Sequence, residues 1–415
     1  MSRPASLSQS PLALLAGTVV VVALLTWIGG WALPLVIFLI IVMVMGHEFG
    51  HFITAKRAGL LVTDFFVGFG PIVWSTQRGE TRYGVRALLL GGYVKVPGMT
   101  WGIPVDPEIE PRTYRESSYP KKVLFASAGS IMHGIMALLL AWAALTFIGT
   151  PSASHVGVAA FTPWQGHKEN AAQIAGLKVG DQIVAIDGTT IKSSTQLANL
   201  VHHSTGKRLT LLVERDGHEL TLHATPVNGR TIKEDGEQMP NGGYIGIEVN
   251  ALTVHESPLA AIPSSFHEVG SVVADAYHGI IHVFSPGEFV SLFHQIASPK
   301  AAANPKNQAA RPDSIVGVVR IATQAANTGA WDLILVLIDV NIFVGILNML
   351  PILPLDGGYV AIASYERIRS RRGKRYEADI NKLAPVIYAF MTVLLVLFAC
   401  TLYLDIAHPI SNPFG

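Results

Sequence analysis

The sequence predicts a polytopic α-helical membrane protein that carries one hydrophilic domain between its membrane-spanning helices. Half of its 415 residues are hydrophobic and only 14% are charged, whereas about 25% of residues are charged in an average soluble protein. The hydrophilic residues are concentrated in one long stretch, about 150–255. The net charge of +1 indicates no nucleic-acid partner. The lone cysteine, Cys400, excludes an intrachain disulfide and a cysteine-based metal site.

Four core spans and an extra N-terminal span are expected. Residues 11–46 are almost wholly apolar; as one helix they would extend about 54 Å, against a hydrocarbon core of about 30 Å. We expect a break at Gly29-Gly30 and a hairpin of two spans, about 11–28 and 32–54. One tilted helix after an interfacial segment is the alternative.

The expected segments are a tail with the extra transmembrane helix (1–31), a transmembrane helix followed by a membrane-associated β-sheet (32–122), a transmembrane helix (123–149), a hydrophilic α/β domain (150–255), an amphipathic helical segment and linker (256–330), a transmembrane helix (331–365), a basic loop (366–383), and the last transmembrane helix with the tail (384–415).

Basic residues in the loops predict the orientation of the chain. Segment 55–122 carries ten Lys and Arg residues, segment 366–382 carries seven, and the tail after Asp405 carries none. Loops rich in Lys and Arg stay in the cytoplasm. The hydrophilic domain and the C-terminus are therefore expected on the outer side.

The motif His47-Glu48-Phe49-Gly50-His51 lies near the end of the second apolar run. Two histidines four residues apart share one helix face, and this pattern with a neighbouring glutamate is typical of zinc peptidases. Glu48 would serve as the general base. A pair of core histidines near a helix end is the alternative, but three ionisable residues in an apolar span are costly and usually functional.

Asp356 is the best candidate for the third metal ligand that a catalytic zinc requires. It follows Pro351 and Pro354, which end the preceding helix. The positive-inside orientation places it on the same side of the membrane as His47 and His51 and at a similar depth. The alternative is a helix-ending loop in which Asp356 is an N-cap.

Two further patterns suggest extended structure. Segment 62–98 is rich in glycine and alternates apolar and polar residues, so it predicts short strands. In the hydrophilic domain, the run AGLKVGDQIVAIDG at 175–188 resembles the core of bacterial PDZ domains. Such domains bind extended peptides by adding a strand to a sheet edge.

Together these motifs resemble the bacterial site-2 protease family, intramembrane zinc metalloproteases of the regulator-of-sigma-E protease type with one PDZ domain. The matching runs are HEFGH at 47–51, FFVGFG at 65–70, GGYVKVPG at 91–98, SIVGVVRIA at 314–322 and NMLPILPLDGG at 348–358. The resemblance implies one catalytic Zn²⁺ ion and a location in the bacterial cytoplasmic membrane. It also implies single-span membrane substrates, often anti-sigma factors, that are cut after a first cleavage outside the membrane.

The resemblance also suggests where substrate binds. It places a membrane-dipping β-sheet at 62–98, whose edge at Gly91, Gly92, Tyr93 and Val94 would hold the substrate as an extended strand. Asn348 would hold a freed peptide group of the substrate. A cytoplasmic sheet with a purely structural role is the alternative.

The chain departs from the family pattern at His133, where the family usually has Asn at the end of AGPxxN. His133 is a candidate substrate hydrogen-bond donor, a candidate group behind a metal ligand, or a simple substitution. The extra N-terminal span is the second departure. Two other function classes stay open from the sequence: a transporter with a buried proton or metal relay, and a PDZ-type adaptor with an inactive core.

Overall fold

The computed structural model describes residues 11–99, 104–165, 168–234, 237–370 and 376–414. Residues 1–10 and four of the basic residues used for the orientation, Arg371, Arg372, Lys374 and Arg375, lie outside the described residues. The chain divides into two compact units, one of residues 143–261 and one of the remainder. In chain order the elements are α1 (Pro11–Gly29), α2 (Ala32–Ala58), β1 (Asp64–Arg78), β2 (Thr81–Lys95), α3 (Tyr119–Ala143), β3 (Thr150–Phe161), α4 (Ala171–Ile174), β4 (Gln182–Ile186), β5 (Thr189–Thr190), α5 (Ser194–His202), β6 (Leu209–Arg215), β7 (His218–Ala224), β8 (Val227–Asn228), β9 (Lys233–Glu234), β10 (Glu237–Gln238), β11 (Gly243–Tyr244), β12 (Ile247–Val254), α6 (Ala261–Val283), α7 (Pro286–Ala297), α8 (Pro299–Ala302), α9 (Pro305–Ala310), α10 (Ile315–Thr328), α11 (Ala330–Asn348), α12 (Asp356–Arg369) and α13 (Ala384–Ala407).

Among the described residues, four helices are long and apolar enough to cross a membrane. They are α2, α3 with the π turn that extends it to Ile148, α11 and α13. The break expected in the N-terminal apolar run is present, because α1 ends at Gly29 and Gly30 has a φ of 71°. Helix α1 is apolar but is not among the four, so its crossing of the membrane stays a prediction.

The expected transmembrane segment 331–365 is in fact two helices. Helix α11 ends at Asn348, and α12 begins at Asp356 and runs to Arg369. Pro351 and Pro354 lie in the loop between them, where they cannot donate the backbone hydrogen bonds that would continue α11. The predicted basic loop at 366–383 therefore begins inside α12. The segment 256–330, expected to hold an amphipathic helical segment and a linker, contains the five helices α6 to α10.

Strands β1 and β2 form the short-stranded sheet expected at 62–98. Each strand bends, so that residues 64–67 pair with 82–85 on one side and with 92–95 on the other. Residues 72–78 pair with 81–86 and complete an order of four short strands. Gly68, with a φ of 84°, lies at the bend of β1. Segment 92–95 is thus an edge strand of this sheet.

The unit of residues 143–261 is built on an antiparallel sheet in the order β12-β3-β4-β6-β7. Its core contains Ile183, Leu211 and Val213, which are almost fully buried. The hydrophilic domain expected at 150–255 falls inside this unit. Strand β12 lies at one edge of the sheet, and a cavity of about 610 Å³ is lined by residues of α5, β11 and β12.

Candidate active site

Helix α2 and the start of α12 bring three potential metal ligands together. His47 and His51 lie on one face of α2, and their Nε2 atoms are 3.1 Å apart. Asp356 is the first residue of α12, whose N-cap is Leu355. The Asp356 side chain is therefore not an N-cap: its Oδ2 lies 3.4 Å from Nε2 of His47 and 3.2 Å from Nε2 of His51.

The three distances fit a tetrahedral zinc ion. Zinc bonds of about 2.0–2.2 Å to nitrogen and oxygen place neighbouring tetrahedral ligand atoms about 3.3–3.6 Å apart, and the observed separations are 3.1–3.4 Å. Two imidazole nitrogens and a carboxylate oxygen are also the donor types that zinc prefers. The same three residues form the metal-ligand cluster found among the described residues.

Neighbouring backbone positions orient the two imidazole rings. Nδ1 of His51 donates a hydrogen bond to the Phe125 carbonyl at 2.8 Å, which leaves its Nε2 free to bind a metal. The ring of His47 lies against Gly129 of α3, where an added Cβ would stand 2.2 Å from its Cε1. Only glycine leaves room for His47 there. A Cβ at Gly357 would stand 2.2 Å from the Met349 carbonyl oxygen, so the loop before α12 needs glycine as well.

Glu48 faces the edge strand of the short-stranded sheet. A Cβ added to Gly92 would lie 3.1 Å from Cγ of Glu48, and the Val94 backbone interacts with the Glu48 carboxylate. The residues predicted to bind substrate at 91–94 therefore lie beside the predicted general base. The Tyr93 side chain packs within the sheet: its ring stacks on Phe66, and its hydroxyl accepts a hydrogen bond from Arg86 at 2.8 Å.

Asn348, the other predicted substrate-binding residue, is the last residue of α11. It is half-buried, and its side-chain amide makes no hydrogen bond within the described part of the chain. The seven residues between Asn348 and Asp356 form the turn that returns the chain to α2. The role of Asn348 stays a prediction.

Sequence reasoning missed two groups near the site. Asn341 of α11 is buried and pairs with His133 at 3.0 Å, and an amide in the middle of an apolar span is the signal that could have identified it. Tyr114 is also buried and packs against Tyr359, three residues after Asp356. Burial, and next the neighbouring Tyr359, raises the pKa of the Tyr114 hydroxyl, which therefore stays protonated.

Comparison with protein families matches residues 35–395 to Peptidase family M50. The match spans most of the chain and includes all three ligands of the cluster. The chain belongs to peptidase family M50. The resemblance to site-2 proteases seen in the motifs is thereby confirmed, and this M50 peptidase is a metalloprotease of the site-2 type.

Curated relatives agree with this assignment. Zinc metalloprotease Rip1 of Mycobacterium tuberculosis is 30% identical over 402 residues, which cover 89% of this chain and 96% of Rip1. Zinc metalloprotease Rip1 of Mycolicibacterium smegmatis is 29% identical over 402 residues, covering 90% and 96% of the two chains. The protein all3971 of Nostoc sp., whose name also includes zinc metalloprotease, is 30% identical over 336 residues, covering 80% and 85%. Membership of M50 and four apolar helices support a multi-pass membrane location.

Proposed function

We propose that this M50 peptidase is an intramembrane zinc metalloprotease. It hydrolyses peptide bonds in or near the transmembrane segment of single-span membrane proteins, with regulators similar to anti-sigma factors as the substrate class. The observation that carries the proposal is the triangle of His47, His51 and Asp356 beside Glu48, built on helices apolar enough to cross a bilayer.

Each residue of the site has a defined task. Nε2 of His47, Nε2 of His51 and Oδ2 of Asp356 would hold the zinc ion, which would supply a Lewis acid for the attacking water and the substrate carbonyl. The Glu48 carboxylate accepts the proton of the attacking water and passes it to the leaving nitrogen. The backbone of Val94 and Gly92 lies next to Glu48, on the side of the site where the substrate would bind.

The edge strand at 91–94 binds the substrate as an extended chain. A transmembrane helix has all its carbonyl groups hydrogen-bonded internally, so its peptide bonds are shielded until it unwinds. Backbone pairing with the edge strand replaces part of the lost helix bonds. Asn348 offers an amide with no partner in the described residues and would bind one freed peptide group.

The prediction that tests intramembrane cleavage is Asn348→Ala. Loss of one hydrogen bond, about 1 kcal/mol, should slow cleavage of a substrate with an intact transmembrane helix about fivefold. A substrate whose span carries a helix-breaking Gly-Pro pair should be slowed much less, because less unwinding is needed. The measurement is a cleavage time course of both substrates in lipid vesicles.

Met349→Ala is the matched control, since Met349 is the exposed neighbour of Asn348 and has no hydrogen-bonding group comparable to an amide. It should slow neither substrate. Equal slowing of both substrates by Asn348→Ala would exclude a role for Asn348 in unwinding. Efficient cleavage of soluble peptides, with none of any membrane-embedded substrate, would refute the intramembrane assignment.

The proposed location is the bacterial cytoplasmic membrane, with the 143–261 unit exposed on the outer side. The support is the positive-inside rule, because Lys and Arg residues are concentrated at 55–122 and 366–382. In this orientation the zinc ligands lie towards the cytoplasmic end of α2. A substrate would reach the site after an earlier cleavage has removed its outer domain.

The 143–261 unit is PDZ-like and regulates access of substrates. The support is the 610 Å³ cavity between α5 and the edge strand β12, which offers a sheet edge and a helix to an extended peptide. Ala198 lines this cavity and is exposed, whereas Thr195 on the same helix points elsewhere.

Ala198→Trp should fill the groove and Thr195→Trp should not. We expect Ala198→Trp to leave zinc content unchanged and to raise the cleavage rate of a substrate that keeps its outer domain, because the groove no longer holds that domain back. Cleavage of a substrate without the outer domain should be the same in wild type and both variants. If wild type and both variants cleaved the substrate with the outer domain at the same rate, a gating role would be contradicted.

A further inference from the structure

His133 and Asn341 form a buried hydrogen-bonded pair between α3 and α11. Nδ2 of Asn341 donates to the Leu337 carbonyl at 2.8 Å, so its Oδ1 is the atom that lies 3.0 Å from Nδ1 of His133. An amide oxygen only accepts hydrogen bonds, and Nδ1 of His133 therefore carries the proton. In a neutral imidazole the other nitrogen is then an acceptor. Nε2 of His133 consequently presents a lone pair.

The His133 ring lies directly against the ring of His47. Their centroids are 5.0 Å apart and their planes make an angle of 47°. His133 is only 2% exposed, which leaves little room for contact with substrate. It does not belong to the metal-ligand cluster formed by His47, His51 and Asp356.

His47 lacks the hydrogen-bond acceptor that the other histidine ligand, His51, already has. A histidine that binds metal through Nε2 carries its proton on Nδ1 and usually donates it to a nearby acceptor. His51 donates to the Phe125 carbonyl. Nδ1 of His47 is buried and makes no hydrogen bond within the described residues. The Gly129 backbone lies near it but lacks hydrogen-bond geometry.

We propose that His133 is a positioning residue for the metal ligand His47. In the zinc-loaded enzyme, Nδ1–H of His47 donates to Nε2 of His133, whose acceptor state is fixed by Asn341 and the Leu337 carbonyl. The relay raises the affinity of Nε2 of His47 for zinc and holds the ring in orientation. The inference rests on the proposed function, because it presupposes zinc at His47, His51 and Asp356.

The test is the zinc affinity of the purified full-length protein, measured by competition with a chelator and independent of activity. His133→Phe keeps a flat ring and removes the acceptor, and it should weaken zinc binding by about 10–100-fold. His133→Leu also removes the acceptor, and it should weaken zinc binding to the same extent if the Phe variant does not fold. Unchanged zinc affinity in a folded variant would overturn the relay.

Asn341→Leu separates positioning from simple packing. It frees the His133 tautomer and should weaken zinc binding in the wild-type background, but it should have no further effect in His133→Phe, because the relay is already broken. Additive effects of the two changes would overturn the relay in favour of independent packing roles. If His47→Ala bound zinc as tightly as the wild type, the proposed function itself would be refuted.

Discussion

Glu48→Gln is expected to lower the rate of substrate cleavage by about 10²–10⁴-fold, the usual contribution of a general base. Glutamine has nearly the same shape as glutamate but cannot accept the proton of the attacking water. The three ligand atoms belong to His47, His51 and Asp356, so zinc content should stay at the wild-type level. The measurements are a cleavage time course and metal analysis of the same preparation.

A matched control is Glu108→Gln, since Glu108 is an exposed glutamate outside the site. It should cleave at the wild-type rate. Wild-type turnover by Glu48→Gln would eliminate Glu48 as the base. Loss of zinc together with activity would assign Glu48 to metal binding rather than proton transfer.

Local spacing made much of the site predictable. His47 and His51 are four residues apart in an apolar run, which fixes a shared helix face before any tertiary structure is known. The glycine pair at 29–30 marked the end of α1 for a similarly local reason, because Gly30 adopts a positive φ. Asp356 was predicted from loop charges and two prolines, and its distances to both histidines fit that expectation.

Contacts between distant parts of the chain were not predictable from spacing. His133 and Asn341 are 208 residues apart, and nothing local indicates that their helices meet at that depth. The four short strands at 62–98 were expected, but their order depends on the bend near Gly68 that places residues 64–67 in the centre. The expected transmembrane segment 331–365 did not separate α12 from α11, although Pro351 and Pro354 were already expected to end α11.

Asp356→Ala is expected to remove most zinc from the protein and with it most activity. The change leaves two ligands, His47 and His51, and a structural or catalytic zinc site normally requires at least three from the protein. The fall in zinc affinity should exceed the 10–100-fold that loss of an outer hydrogen-bond partner causes. Asp379→Ala, at a half-exposed aspartate near the start of α13, is the control and should bind zinc normally.

Thermal unfolding gives a readout of this change that does not need a substrate. A ligand at 100 times its dissociation constant stabilises the folded state by about 2.7 kcal/mol, and at its dissociation constant by only about 0.4 kcal/mol. Adding zinc at a fixed concentration should therefore raise the melting temperature of the wild type and of Asp379→Ala, and hardly change that of Asp356→Ala. Because the variant still has both histidines, an equal rise in all three proteins would mean that Asp356 contributes nothing to the metal site, and the third ligand would have to be sought elsewhere.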